Sequence, residues 1–256
     1  MKRLCPSKLA VLLCLLHLAP AQASAEVGRA AKAVASGRYA EAEKLLAPLA
    51  ARGGREGAES KVLLGRIQLE TGRYEDAVRT AKAARSTRPV KAAAHLLEGE
   101  ALLKMGRSVE AVRALRAAVE AAGQSGDEVE WRSRVHLARA LARKGDVLGS
   151  RPLWDSLADD YNDGRVADTD ATGLWAVAAA VEALEYWQEA NETYTAATKA
   201  DRTRVETQVD WARLFLEKYD PGHAEECLRD ALKANGSHAV AHALMAQVRM
   251  KQGFDF

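Results

Sequence analysis

One short phrase returns along this chain at nearly fixed spacing: GRYAEA at 37–42, GRYEDA at 72–77 and GRSVEA at 106–111. Taking the glycine as origin, Gly37, Gly72, Gly106 and Gly145 are followed by equivalent points at Glu185, Tyr219 and Gly253. Seven positions before each origin stands Ala30, Gly65, Gly99, Ala138, Ala178, Ala212 or Ala246, always Gly or Ala. Five positions after stands Ala42, Ala77, Ala111, Ser150, Ala190 or Ala224. A period of 34–40 residues with two small-residue columns predicts a helix–turn–helix unit. The small side chains let two helix axes approach closely, and Leu46, Leu115, Trp154, Tyr194 and Leu228, nine after the origin, fill the space beside that contact. Glycine between the helices can adopt the left-handed backbone that ends the first helix. One such pair cannot bury its own apolar face, so the pairs must stack.

Composition agrees. Alanine and leucine dominate, β-branched and aromatic residues are few, and no stretch reads as a strand. The expected class is all-α.

The unit at 58–91 carries Leu64-Gly65, Gly72, Tyr74, Ala77, Ala84 and Pro89. The unit at 92–125 keeps Gly99, Gly106, Ala111 and Ala118, with Ser108 for the tyrosine and Gly123 for the proline. Later units diverge, although Trp187 and Ala190 keep the aromatic-x-x-Ala step. With these residues the chain resembles the tetratricopeptide repeat family over 26–256. The resemblance implies a right-handed superhelical solenoid of stacked antiparallel helix pairs, with the first helix of each pair lining a concave face. About six pairs are expected, plus the first helix of a seventh at Ala239–Gly253. Because the chain stops where a second helix would start, the expectation is that the natural protein continues or that a partner covers this end. Two stretches, 121–130 and 159–171, break the spacing and read as longer loops between repeats.

Residues 1–25 read as a secretory signal peptide. Lys2, Arg3 and Lys8 precede an eleven-residue apolar run, and Ala23-Ser24-Ala25 is a small-residue cleavage pattern. The run is too short to cross a bilayer, which takes about 20 residues. Leu13 before Cys14 disagrees with a lipoprotein signal. The expected location is therefore periplasmic or secreted, in a bacterium. Without these residues 34 basic side chains face 35 acidic ones, so charge offers no case for nucleic acid or an anionic membrane. Cys227 is then the lone cysteine, and no internal disulfide can form.

No catalytic motif is present: no H-E-x-x-H, P-loop or G-x-S-x-G, and no cofactor is implied. His223 and Cys227, and His238 and His242, stand four apart and could pair on neighbouring helices as zinc ligands. Ordinary repeat histidines and a packed cysteine weigh more heavily. The loop Asp159–Gly164, with Asp170 beyond it, resembles a calcium loop, yet Tyr161 occupies a ligand position. An acidic solvated turn is the better reading.

The concave side is the stronger lead. Ten before each origin stand Val27, Val62, Leu96, Val135, Trp175 and Val209; six before stand Ala31, Arg66, Glu100, Arg139, Ala179 and Arg213. These columns are four apart and share a helix face. Arg132 and Arg143 add charge to the fourth unit. The alternative is that the apolar column is core between repeats and the arginines only solvate the groove. The candidate partner surface is Arg66, Leu96, Glu100, Arg132, Arg139, Arg143, Trp175 and Arg213, with Trp175 as its aromatic anchor. The groove asparagines of the carboxylate-clamp subfamily are missing. The leading expectation is a non-enzymatic scaffold for a protein or peptide, of open oligomeric state. A second reading makes the chain the helical part of a larger exported, zinc-peptidase-like enzyme.

Overall fold

A computed structural model of the chain describes residues 24–218 and 220–253. Most of the expected signal peptide (1–23), Tyr219 and the tail at 254–256 lie outside the described residues. Among the described residues thirteen α-helices follow one another: α1 (24–35), α2 (Tyr39–Ala50), α3 (Gly54–Glu70), α4 (Tyr74–Ala84), α5 (Lys91–Lys104), α6 (Ser108–Ala122), α7 (Glu128–Arg143), α8 (Val147–Asn162), α9 (Ala171–Ala183), α10 (Trp187–Ala200), α11 (Val205–Glu217), α12 (Pro221–Ala234) and α13 (Ala239–Gly253). They form six antiparallel pairs and a single last helix, stacked as a right-handed solenoid.

The repeated phrase builds the same turn each time. At the first, the N–H of Gly37 donates to Val34 O at 3.0 Å and that of Arg38 to Ala33 O at 2.8 Å. The pattern recurs at Gly72–Arg73, Gly106–Arg107, Gly145–Asp146 and Glu185–Tyr186. These bonds satisfy the last carbonyls of each first helix and require a left-handed residue. Glu185 supplies it with φ +69°, the one non-glycine of positive φ among the described residues. The register predicted this position, though its residue breaks the pattern.

Both small columns are buried where two helices meet. Ala30, Ala138, Ala178 and Ala212 are wholly inaccessible, as are Ala42, Ala77, Ala111, Ala190 and Ala224. A Cβ on Gly65 would overlap the Leu97 side chain, and one on Gly99 would overlap Leu115. Ala246 alone is exposed, because no second helix covers it among the described residues.

The two insertions form one joint. Asp127 caps α7 by accepting from Glu130 N at 2.9 Å, and Asp170 caps α9 through Thr172 N and Gly173 N at 3.1 and 2.9 Å. Arg165 of the second insertion reaches Glu130 at 3.0 Å, and Trp131 Nε1 donates to Asp170 at 3.0 Å. Among the described residues, no helix is long and apolar enough to cross a membrane.

Candidate partner-binding channel

The first helices of the pairs supply most of the lining of a cavity of about 210 Å³. Its wall takes Arg66 from α3, Glu100 and Lys104 from α5, and Arg132, His136, Arg139 and Arg143 from α7. Trp175 comes from α9, and Glu206, Asp210 and Arg213 from α11. Seven of the eight residues expected to form the partner surface therefore meet in one place; Leu96 lines a neighbouring cavity. That cavity, of about 490 Å³, shares Arg66, Arg132 and Glu206 with the central one. On the opposite side lies a cavity of about 550 Å³ that shares Arg139, Arg143, Asp210 and Arg213. Through these shared residues the three adjoin as one channel, whose middle cavity is the smallest.

Ion pairs form the constriction. Glu100 is held by Arg66 at 2.6 Å, Arg132 at 2.9 Å and His136 at 2.9 Å. Burial opposes its ionisation, but these three groups overcome burial and keep its carboxyl well below the usual range. Arg132 also reaches Glu206 at 2.7 Å. Burial again opposes, and the guanidinium groups of Arg132 and Arg204 bring Glu206 down to about 2. Burial holds His136 below its ordinary value, against the pull of the Glu100 carboxylate 2.9 Å from its Nε2.

A second cluster centres on Asp210. It accepts from Arg139 at 2.7 Å and from Trp175 Nε1 at 2.9 Å, and pairs with Arg213. The Trp175 ring has the guanidinium groups of Arg139 and Arg204 at 5.7 and 5.6 Å from its centroid. Beside it, Tyr194 donates its hydroxyl to Glu182, whose pKa burial raises to about 7.

The roles of the expected residues divide accordingly. Trp175 is 1% exposed, so its ring offers a partner no contact area; it is core between the fourth, fifth and sixth repeats. Leu96, at 3%, is likewise core, packed with Val112, Leu115 and Leu137. The physical reason is that the apolar column faces the next repeat. Arg66, Glu100, Arg132 and Arg139 neutralise opposite charges inside the channel. Arg143 keeps an exposed guanidinium with no ion pair among the described residues, and Lys104 beside it is equally free. Lys104, His136, Glu206 and Asp210 were missed by the column reading. A signal existed for two of them. Nine before each origin stand Gly28, Leu63, Leu97, His136, Ala176, Asp210 and Leu244, and only His136 and Asp210 break that nonpolar column.

The four metal candidates do not converge. His223 is exposed, with Nδ1 2.6 Å from Asp220, and stacks on Phe215. Cys227 is buried in an apolar cluster. His242 Nε2 lies 2.9 Å from Gly236 O, and His238 lies near Glu70. In the acidic loop, Asp160 pairs with Arg134 and Arg165, and Asp170 caps a helix. Those oxygens are already engaged by cations and N–H groups.

Several solved structures are similar to this chain. TTC0263, a thermophilic TPR protein of Thermus thermophilus, matches with a TM-score of 0.53 at 18% identity, covering 75% of this chain and 99% of that one. YrrB, described as a TPR protein with an unusual peptide-binding site, has a TM-score of 0.36 at 16% identity, over 73% and 91%. MamA from Desulfovibrio magneticus RS-1 gives 0.38 at 14% identity, over 80% and 100%. No curated protein matches the chain. The tetratricopeptide repeat profile matches residues 27–89, 62–126 and 96–165, together more than half of the sequence. With that match, the recurring turn and the stacked pairs, this chain belongs to the tetratricopeptide repeat family.

Proposed function

We propose that this protein is an exported interaction scaffold that takes a polypeptide segment of a partner into its concave channel. The observation that carries this reading is the charge of the central wall. Arg66, Lys104, Arg132, Arg139, Arg143 and Arg213 face Glu70, Glu100, Glu206 and Asp210, an excess of two positive charges. Lys104 and Arg143 stand exposed at its edge, without an ion pair among the described residues. A segment with acidic side chains and some apolar ones suits such a wall, since guanidinium binds carboxylate through forked hydrogen bonds. The leader-like residues 1–25 support export, and with it a partner in the bacterial envelope.

The test is a peptide array of acidic, neutral and basic segments, alongside capture from envelope extract. Acidic segments should be retained, with affinity falling steeply as salt rises. Arg143→Glu and Lys104→Glu should each abolish that preference without lowering the melting temperature. Equal retention of basic segments, or no effect of either reversal, would remove the channel from the reading.

A further inference from the structure

The solenoid curves so tightly that its first repeat meets its sixth. Asn235, just after α12, donates its side-chain N–H to the hydroxyl of Tyr39 at 3.1 Å, across 196 residues. Gly37, at φ +73°, lies so close that a Cβ there would overlap Asn235 Oδ1 and sit 3.1 Å from Ser237 Cβ. His238 stands 4.0 Å from Glu70. The helices thus form a closed ring, and the channel has a side wall.

That wall is thin. Sequential repeats are joined by apolar clusters, but among the described residues none crosses here. The cluster of Ala30, Leu46 and Ile67 is separate from that of Val209, Leu228 and Met245. Among the described residues one hydrogen bond, a close approach at Gly37 and the Glu70–His238 contact hold the join. The central cavity, of about 210 Å³, is also smaller than ligand pockets usually are, on the order of 300–1,000 Å³. Small rotations between neighbouring repeats add up along a solenoid, so its two ends can part with little change at any one contact between repeats.

We infer that the Tyr39–Asn235 contact is a seam: the molecule exchanges between the closed ring and an open groove, and a partner segment enters sideways through the seam. This rests on the channel being the partner's site. The exchange itself is a property of the free protein and is measured without any partner.

The experiment is electron–electron distance measurement on the full chain. Spin labels go on cysteines at Arg29 and Lys233, on opposite sides of the seam, with the chain's own cysteines replaced by alanine. The expected result is a short main distance with a longer minor one. Tyr39→Phe and Asn235→Ala should each raise the longer population about five-fold, as expected for one net hydrogen bond. Circular dichroism melts establish that both variants fold; Tyr39→Phe keeps the ring and removes only the hydroxyl. One unchanged distance in all three proteins would overturn the inference, as would a parent protein showing the long distance alone. Failure of acidic peptides to bind would overturn the channel reading and leave these distances unchanged, so the two failures are distinguishable.

Discussion

Trp175 donates its indole N–H to Asp210 over 2.9 Å, and the same carboxylate oxygen accepts from Arg139 at 2.7 Å. One acid on α11 thus ties together the first helices of three successive repeats. The tryptophan and the arginine are held inside the solenoid, where they stabilise its curvature.

Two substitutions follow from that geometry. Trp175→Ala removes a fully buried ring and should cost about 3–5 kcal/mol. Asp210→Ala leaves the half-buried Arg139 without its carboxylate and should cost less, about 1–3 kcal/mol. Chemical denaturation of both variants measures this. In a variant keeping Trp175 as its lone tryptophan, the fluorescence should be shielded from acrylamide. An accessible, quenchable Trp175 would restore it as a contact residue.

Glu182 gives a pH dependence of defined sign. Burial raises its pKa from the ordinary 4.5 to about 7. Its ionisation therefore costs more in the folded chain than in the unfolded one. Stability from this group is full below about pH 4.5 and falls as pH rises toward 7. Glu182→Gln keeps the oxygen that accepts from Tyr194 and removes the charge. It should be near neutral at pH 5 and stabilising by about 1–3 kcal/mol at pH 8, since a tenfold change in proton affinity between folded and unfolded chains is worth about 1.4 kcal/mol. Denaturant midpoints at the two pH values decide the matter; equal differences at both would refute it.

Glu185 holds a left-handed backbone, φ +69°, that side chains with a Cβ adopt at a cost. Glu185→Gly should raise stability by about 1 kcal/mol, against the usual direction for glycine substitutions. Glu185→Val should lower it. A loss with glycine would mean that the Glu185 side chain contributes more than its backbone costs.

The small-residue column makes one substitution behave in two ways. Gly65→Leu and Ala77→Leu force bulk into closed helix contacts and should cost about 1–3 kcal/mol or more. Ala246→Leu, in the same column as Gly65 but exposed, should stay within about 0.5 kcal/mol. A costly Ala246→Leu would show that something covers α13 in solution.

The repeat was legible because it is local. Gly37, Gly72 and the two small columns each act within one helix pair, and the register located even Glu185 correctly. The channel chemistry was not local. Arg132 finds Glu206 across 74 residues and Arg139 finds Asp210 across 71, pairings that depend on the accumulated curvature of the intervening repeats. A column of arginines therefore looked like an open binding face, when most of it neutralises carboxylates from other repeats. The interruption of a nonpolar column by His136 and Asp210 was the one trace of this in the sequence.

The joint between the two insertions bears on how the molecule comes apart. A solenoid of nearest-neighbour contacts unravels from its ends, one repeat at a time. Here Arg165 grips Glu130 and Asp170 holds Trp131, so the fourth repeat is bound to the segment leading into the fifth. Neither can leave without the other. The middle of the chain, with α11 tied to it through Asp210 and Glu206, should detach as a single cooperative block, with the slowest amide exchange in α7 and α9, while the end helices α1 and α13 fray first.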